Sequence, residues 1–470
     1  MFCQLETLRQ CLPQSVMQTL NELPESLDDT YERLMMNIKR ANQAHAFRML
    51  QCLTVAIRPL TVAELAELLA FDFDVAEGEM PKLKPNWRWE DHEQAILSTC
   101  SSLVTVVPNN GSPVVQFSHF SVKEFLMSDR LATSRRDISQ YHISLEEAHT
   151  LLTRASLAVL LRDPDVNSSA DSAPLAEYAA EYWVTHAQVK NVASRVCDGM
   201  EYLFDPDKPY FEAWVRLHDI DRYVSSSALP DYEPGARRLY YAAMGGFHEL
   251  VEHLILNYPQ YAKTPGGKSG IALHAASFEG HLQVVRYLLR LGVDVNVLNA
   301  QNNTPLLLAS LKGHRDIVQC LLDHSADLDL RNKWHNSPIL LAAFFGHIDI
   351  VRLLLEHNAE VNFQDDKGRT ALHDAIRCTR FQADRLQMVR LLLEHGANVN
   401  ARNKKRRTPV HLLSKRPESL DVLRLLLEHG ADLDVEDKDG KTPFQLSLDR
   451  GHHEVTRLLS EYLATKPMSR

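Results

Sequence analysis

From Ile271 to Ser447 the chain says one pattern of about thirty-three residues again and again, and no other feature constrains its fold as tightly. Thr304-Pro305-Leu306, Ser337-Pro338-Ile339, Thr370-Ala371-Leu372, Thr408-Pro409-Val410 and Thr442-Pro443-Phe444 open successive copies, and Ile271-Ala272-Leu273-His274 opens an earlier one. The steps between openings are 33, 33, 33, 38 and 34 residues. A unit of this length cannot bury an apolar face alone, so the copies must stack and share a core with their neighbours.

The period and the TPLHxA-like opening resemble the ankyrin repeat, which implies a β-turn finger and two antiparallel helices per copy. Ala275-Ala276, Ala309, Ala342-Ala343 and Ala375 let the helices approach closely. Leu288-Leu289, Leu321-Leu322, Leu353-Leu354-Leu355, Leu391-Leu392-Leu393 and Leu425-Leu426-Leu427 are expected to fill the shared core. A first copy, Ala236 to Gly270, is degenerate: Ala242-Ala243 and Gly246-Phe247-His248 survive without the opening Thr-Pro. Terminal copies lack one neighbour and are expected to be atypical, so seven copies are read in all.

A chain of 470 residues is too long for one core, and the part ahead of the repeats reads differently. Leu5, Leu8 and Leu12 suggest a helix, and a second starts after Pro24 with Ser26 or Asp28 as cap. Ala46–Ile57 reads as an apolar helix ended by Pro59. Thr61 caps Val62–Ala70, whose Glu64 and Glu67 are expected to face water. Glu90–Cys100 makes a third helix, and Leu103–Val107 and Val114–Ser118 a hairpin across Asn109-Asn110-Gly111. Three helices followed by a hairpin is the order of a winged helix. Tyr178, Tyr182 and Trp183 stand at helical spacing as an aromatic stripe of core type, and Ser225 to Pro234 reads as a junction.

The strings LPESLDDTYERL, RPLTVAELAELL, ILSTCSSLVTVV and VVQFSHFSVKEFL are similar, in order and spacing, to the segment that follows the NTPase in fungal NACHT–ankyrin proteins of the NOD-like, STAND class. That segment is named the GPI inositol-deacylase-type winged helix, a name that implies no deacylase activity here. The resemblance covers roughly residues 4–220 and implies an NTPase domain ahead of residue 1. The expected architecture is mainly α: a winged-helix and helical domain followed by an ankyrin-repeat solenoid. Its parts are a lead-in (1–45), a winged-helix-like domain (46–135), a helical domain (136–224), a linker (225–235) and the repeats (236–470).

Several chemistries are disfavoured. The net charge is −10, and Trp89 to Val122, which holds the expected recognition helix and wing, has no Lys or Arg, so phosphate contacts are missing where a DNA-binding winged helix needs them. Gly267-Lys268-Ser269 imitates the tail of a P-loop, but Ala262 stands where its first glycine belongs. Seven cysteines lie far apart with no CxxC pair, and no apolar run reaches about eighteen residues. His274, His373 and His411, and His281, His314, His347 and His452, recur with the frame and are read as hydrogen-bonding local backbone rather than as metal ligands or general bases. No catalytic set, cofactor, metal, nucleic acid or membrane is called for.

The variable slots carry the functional reading. Ankyrin proteins usually meet partners with the finger tips and the inner face of the first helix, here the residues just before each Thr and those seven and eight after it. These slots hold Phe278 and Glu279, Leu311 and Lys312, and Phe344 and Phe345, with Trp334 at a finger tip. Such apolar side chains suggest a recognition strip for a protein ligand, unless some fold inward against the next helix. Arg402, Lys404, Lys405, Arg406 and Arg407 make a later finger basic, suited to nuclear import or an acidic partner. The expectation is a non-catalytic recognition or adaptor module, cytoplasmic, and nuclear if the basic finger serves import. Its alternatives are the regulatory part of a signalling NTPase whose catalytic domain lies upstream, or a nuclear regulator.

Overall fold

The computed structural model describes residues 27–75, 79–87, 91–100, 102–109, 111–162, 173–221, 233–377, 382–414 and 420–465. The first lead-in helix, Trp89 and Glu90, the hairpin tip at Asn110, residues 163–172, most of the junction and residues 378–381 fall outside them. The chain forms two compact units, Met1–Ser225 and Ser226–Arg470.

The first unit holds the winged helix. After α1 (Leu27–Met36), α2 (Gln43–Val55) buries Met49, Leu50, Cys52 and Val55 and stops ahead of Pro59, whose ring disfavours helical backbone in the residue before it. Strand β1 (Leu60–Thr61) leads into α3 (Val62–Leu69), which opens with a complete capping box. Thr61 Oγ1 accepts the Glu64 N–H at 3.1 Å, and the Glu64 carboxylate accepts the Thr61 N–H at 2.7 Å. A short ribbon, β2 (Phe71–Asp72) with β3 (Lys82–Leu83), precedes α4 (His92–Cys100). Then β4 (Val104–Val107) and β5 (Val114–Phe117) pair antiparallel, and β1 adds to β5 in the order β1-β5-β4. Alternation turns Leu60, Val104 and Val115 inward. Thr61→Ala is expected to cost about 1 kcal/mol by removing the cap, read as a lower urea midpoint with an unchanged m value.

Glu64 and Glu67 do not face water: both are buried. Glu64 is held by Arg58 through two hydrogen bonds of 2.9 and 2.6 Å. Glu67 accepts from Arg162 at 2.8 Å and from the backbone N–H of Leu175 at 2.7 Å. Both partners of Glu67 lie about a hundred residues downstream, beyond the reach of a periodicity argument confined to one helix.

Two further helices, α6 (Leu145–Leu160) and α7 (Ala176–Ala187), pack against each other, α5 (Phe120–Leu126) preceding them. Tyr178 and Trp183 of the aromatic stripe are buried, with Trp183 edge-on to Trp214 at 5.2 Å, while Tyr182 is half-buried.

In the second unit the described residues form seven helix pairs: 234–245 with 248–257, 272–279 with 282–290, 305–312 with 315–323, 338–345 with 348–356, 371–377 with 382–394, 409–413 with 420–428, and 443–449 with 453–465. First helices stack in one row and second helices in another. Ala276, Ala309, Ala342 and Ala343 lie at the first row's contacts, and Leu288, Leu321, Leu354, Leu392 and Leu426 are fully buried.

Candidate partner-binding surface

The first helices of the second, third and fourth repeats have well-defined ends. Thr or Ser precedes Pro at most openings, and Thr304 Oγ1 accepts the Leu307 N–H at 3.2 Å. Gly280, Gly313 and Gly346 end three of these helices with φ of 95°, 91° and 82°. A Cβ on Gly280 would lie 2.7 Å from the His314 ring, so only glycine admits both the turn and the close approach. This rigid stop delivers the two residues before each glycine to one face.

Those residues are Phe278 and Glu279, Leu311 and Lys312, and Phe344 and Phe345; all are half-buried except Lys312, which is exposed. The ammonium of Lys312 sits 4.1 Å from the centre of the Phe278 ring. Phe344 and Phe345 meet edge-on at 5.0 Å. The fifth repeat carries Arg377 in the Phe344 slot, and its guanidinium lies 5.5 Å from the Phe344 ring while donating to Asp374 at 3.0 Å. Arg369 also reaches Asp374, at 3.2 Å. The aromatic rings therefore lie under two cations, an arrangement that stabilises both partners. Counting seven residues past Thr370 would have found Arg377; the buried Asp374 behind it carries no sequence signal, because its slot holds Ala275, Leu308 and Leu341 in other repeats.

The fingers form a second surface. Neighbouring tips are joined backbone to backbone: Lys333 N–H to Gln301 O at 3.0 Å, Lys404 N–H to Lys367 O at 2.9 Å, Lys438 N–H to Lys405 O at 3.0 Å. Each tip turns through a left-handed residue, filled by Asn302, His335, Gly368, Arg406 and Gly440. Trp334 is 56% exposed beside His335. Lys404, Lys405 and Arg406 point to solvent. Arg407 does not: it is paired with Asp437 at 2.9 Å and Asp439 at 3.1 Å, and so braces one finger against the next.

Six of the seven recurring histidines bond backbone as expected; His452 in the last repeat does not, its Nε2 being buried without a hydrogen-bond partner among the described residues. His281, His314 and His347 place Nε2 at 2.8, 2.9 and 3.2 Å from the carbonyls of Met244, Phe278 and Leu311 in the preceding repeat. In His274, His373 and His411, Nδ1 accepts the N–H of Ile271, Thr370 and Thr408, and Nε2 donates forward to Asn303, Arg407 and Lys441. Acceptance at Nδ1 leaves no room there for a second proton. Burial accordingly pushes the imidazoles of His274 and His373 down to about 4 and lowers those of His281 and His411.

Gly267-Lys268-Ser269 forms a finger rather than a phosphate cradle. Gly267 and Gly270 make an antiparallel bridge, and the Ser269 N–H donates to the Tyr240 hydroxyl at 3.3 Å. In the winged helix, Asp91 and Glu93 stand exposed at the start of α4. No described helix is long and apolar enough to cross a membrane, and no described cluster of His, Cys, Asp and Glu could hold a metal ion.

Comparison with known proteins agrees with this division. Residues 239–332, 326–403 and 382–469 match the family model of ankyrin repeats, and residues 31–136 match that of the GPI inositol-deacylase winged helix domain. A curated relative, "Azaphilone pigments biosynthesis cluster protein L" of Monascus ruber, is 29% identical over 297 residues, covering 59% of this chain. The match spans 61% of that relative's length. The chain thus carries a winged helix of the GPI inositol-deacylase type on its N-terminal side and an ankyrin-repeat solenoid in its C-terminal part.

Proposed function

We propose that this protein is a non-catalytic recognition module whose ankyrin array captures a protein ligand, and that the winged-helix and helical region tethers or transmits in the manner of NOD-like receptors. The observation that carries the reading is the strip of Phe278, Leu311, Phe344 and Phe345, half-buried on one face, with Trp334 exposed on a nearby finger. Large aromatic side chains left partly open to water are the usual anchors of an interface. The buried histidines and the finger geometry of Gly267–Gly270 support a structural rather than a chemical use of these residues.

The test is a triple variant of the full chain, Trp334→Ala, Phe344→Ala and Phe345→Ala. It is expected to lose most partner capture from lysate, each anchor contributing on the order of 1–2 kcal/mol, with an unchanged circular dichroism spectrum. Capture by the folded variant at the parental level removes the strip from the reading.

A further inference from the structure

We propose that the partner enters as an extended acidic segment of protein, whose carboxylates are gripped by Lys367, Lys404, Lys405 and Arg406 along the finger tips. The inference deepens the recognition reading above and rests on it.

The cations closest to the core are already used. Arg369 pairs with Asp365 and Asp374, Arg407 with Asp437 and Asp439, and Lys441 with Asp449. Lys367, Lys404, Lys405 and Arg406 are exposed and make no ion pair among the described residues. In a chain of net charge −10, a cluster of unpaired cations on a single edge is a local inversion of the prevailing sign.

Arg406 adds an independent sign. It occupies the left-handed turn position at φ 54°, where Gly368 and Gly440 serve the fingers on either side. A long side chain is strained there, and this one neither packs nor pairs to offset the strain. An exposed cation held in an unfavourable backbone conformation points to a use outside the fold.

The spacing suits a peptide. The Lys404 N–H bonds to the Lys367 carbonyl, and the Lys438 N–H to that of Lys405, so these residues are neighbours across three fingers. Hydrogen-bonded neighbours of this kind lie about 5 Å apart, and an extended segment presents side chains on one face about every 6.7 Å, a difference that flexible lysine stems accommodate. Asp366 stands exposed among the cations, as does Asp439, the second partner of Arg407. They repel the continuous charge of a nucleic acid or an anionic bilayer, whereas a peptide can place neutral residues against them.

The experiment is a fluorescence-anisotropy titration of the full chain with a labelled oligo-glutamate peptide, beside oligouridylate and phosphatidylserine vesicles. Oligo-glutamate is expected to bind in a salt-sensitive way. The double variant Lys404→Glu with Lys405→Glu is expected to weaken it about tenfold. Arg406→Gly is expected to weaken it about threefold while the melting temperature stays or rises, an outcome that a purely structural role for Arg406 does not produce. Absent binding, equal affinity in the variants, or tighter binding to oligouridylate or vesicles overturns the acidic-segment inference. The triple alanine variant tests the recognition strip separately, so loss of one reading leaves the other measurable.

Discussion

Glu67→Ala is expected to destabilise the N-terminal unit by about 3–5 kcal/mol, the cost of removing one partner from a buried ion pair. The side chain of Glu67 is 1% exposed, and its two oxygens serve Arg162 at 2.8 Å and the Leu175 N–H at 2.7 Å. Without it, a guanidinium that is itself only 17% exposed keeps its charge with its carboxylate gone, and a backbone donor is orphaned. Urea unfolding of the unit checks the magnitude. The double replacement Glu67→Leu with Arg162→Met separates the two losses. It removes the charge problem but leaves the Leu175 N–H unpaired, so a deficit of about 1–3 kcal/mol is expected to remain. Full recovery in the double variant would show that the Leu175 hydrogen bond contributes nothing, and a fully stable single variant would discard the argument.

Glu67 also shows where sequence reasoning stops. The repeats were legible because each copy restates its own rules: period, opening, small residues, leucine run and closing glycine all agree. The winged helix was legible in order, since caps, Pro59 and the alternating strands are local signals. Glu67 was misread because a helical wheel knows only its own helix, and Arg162 and Leu175 arrive from another part of the chain; Glu64 was misread although its partners are local, since it turns back to the Thr61 N–H and to Arg58 just ahead of the helix. At the partner surface the same limit appears in milder form. The slots of Phe278 through Phe345 follow from counting, but that Arg377 lies over Phe344, and that Arg407 is consumed by Asp437, depend on which repeat follows which.

Acidification from pH 7 to about 4.5 is expected to unfold the repeat unit progressively, and the cause lies in the same histidines that register the stack. In the folded state His274 and His373 titrate at about 4, against about 6.5 in an unfolded chain. A group whose folded value is lowered contributes its full stability above the unfolded value and loses it as pH falls toward the folded one. The window is therefore roughly pH 6.5 to 4, over which each of the two histidines withdraws about 3 kcal/mol. His281 and His411, also lowered by burial, act in the same direction. Asp374 opposes them. Burial raises its carboxyl to about 7 against the pull of Arg369, so the folded state gains that proton first and is relatively favoured as pH falls. Subtracting that proton from the two taken up at His274 and His373 leaves a net uptake of about one proton by the unfolded chain between about pH 6 and 5, a slope of about 1 kcal/mol per pH unit to which His281 and His411 add. Urea midpoints measured at steps between pH 6.5 and 4.5 read this slope directly, and a flat profile would refute it. His373→Gln should lower stability at neutral pH, because a buried ring linking Thr370 to the Arg407 carbonyl is lost, yet flatten the slope by about one proton. Those opposite effects at the two ends of the profile distinguish a titrating strut between repeats from a side chain that merely fills space.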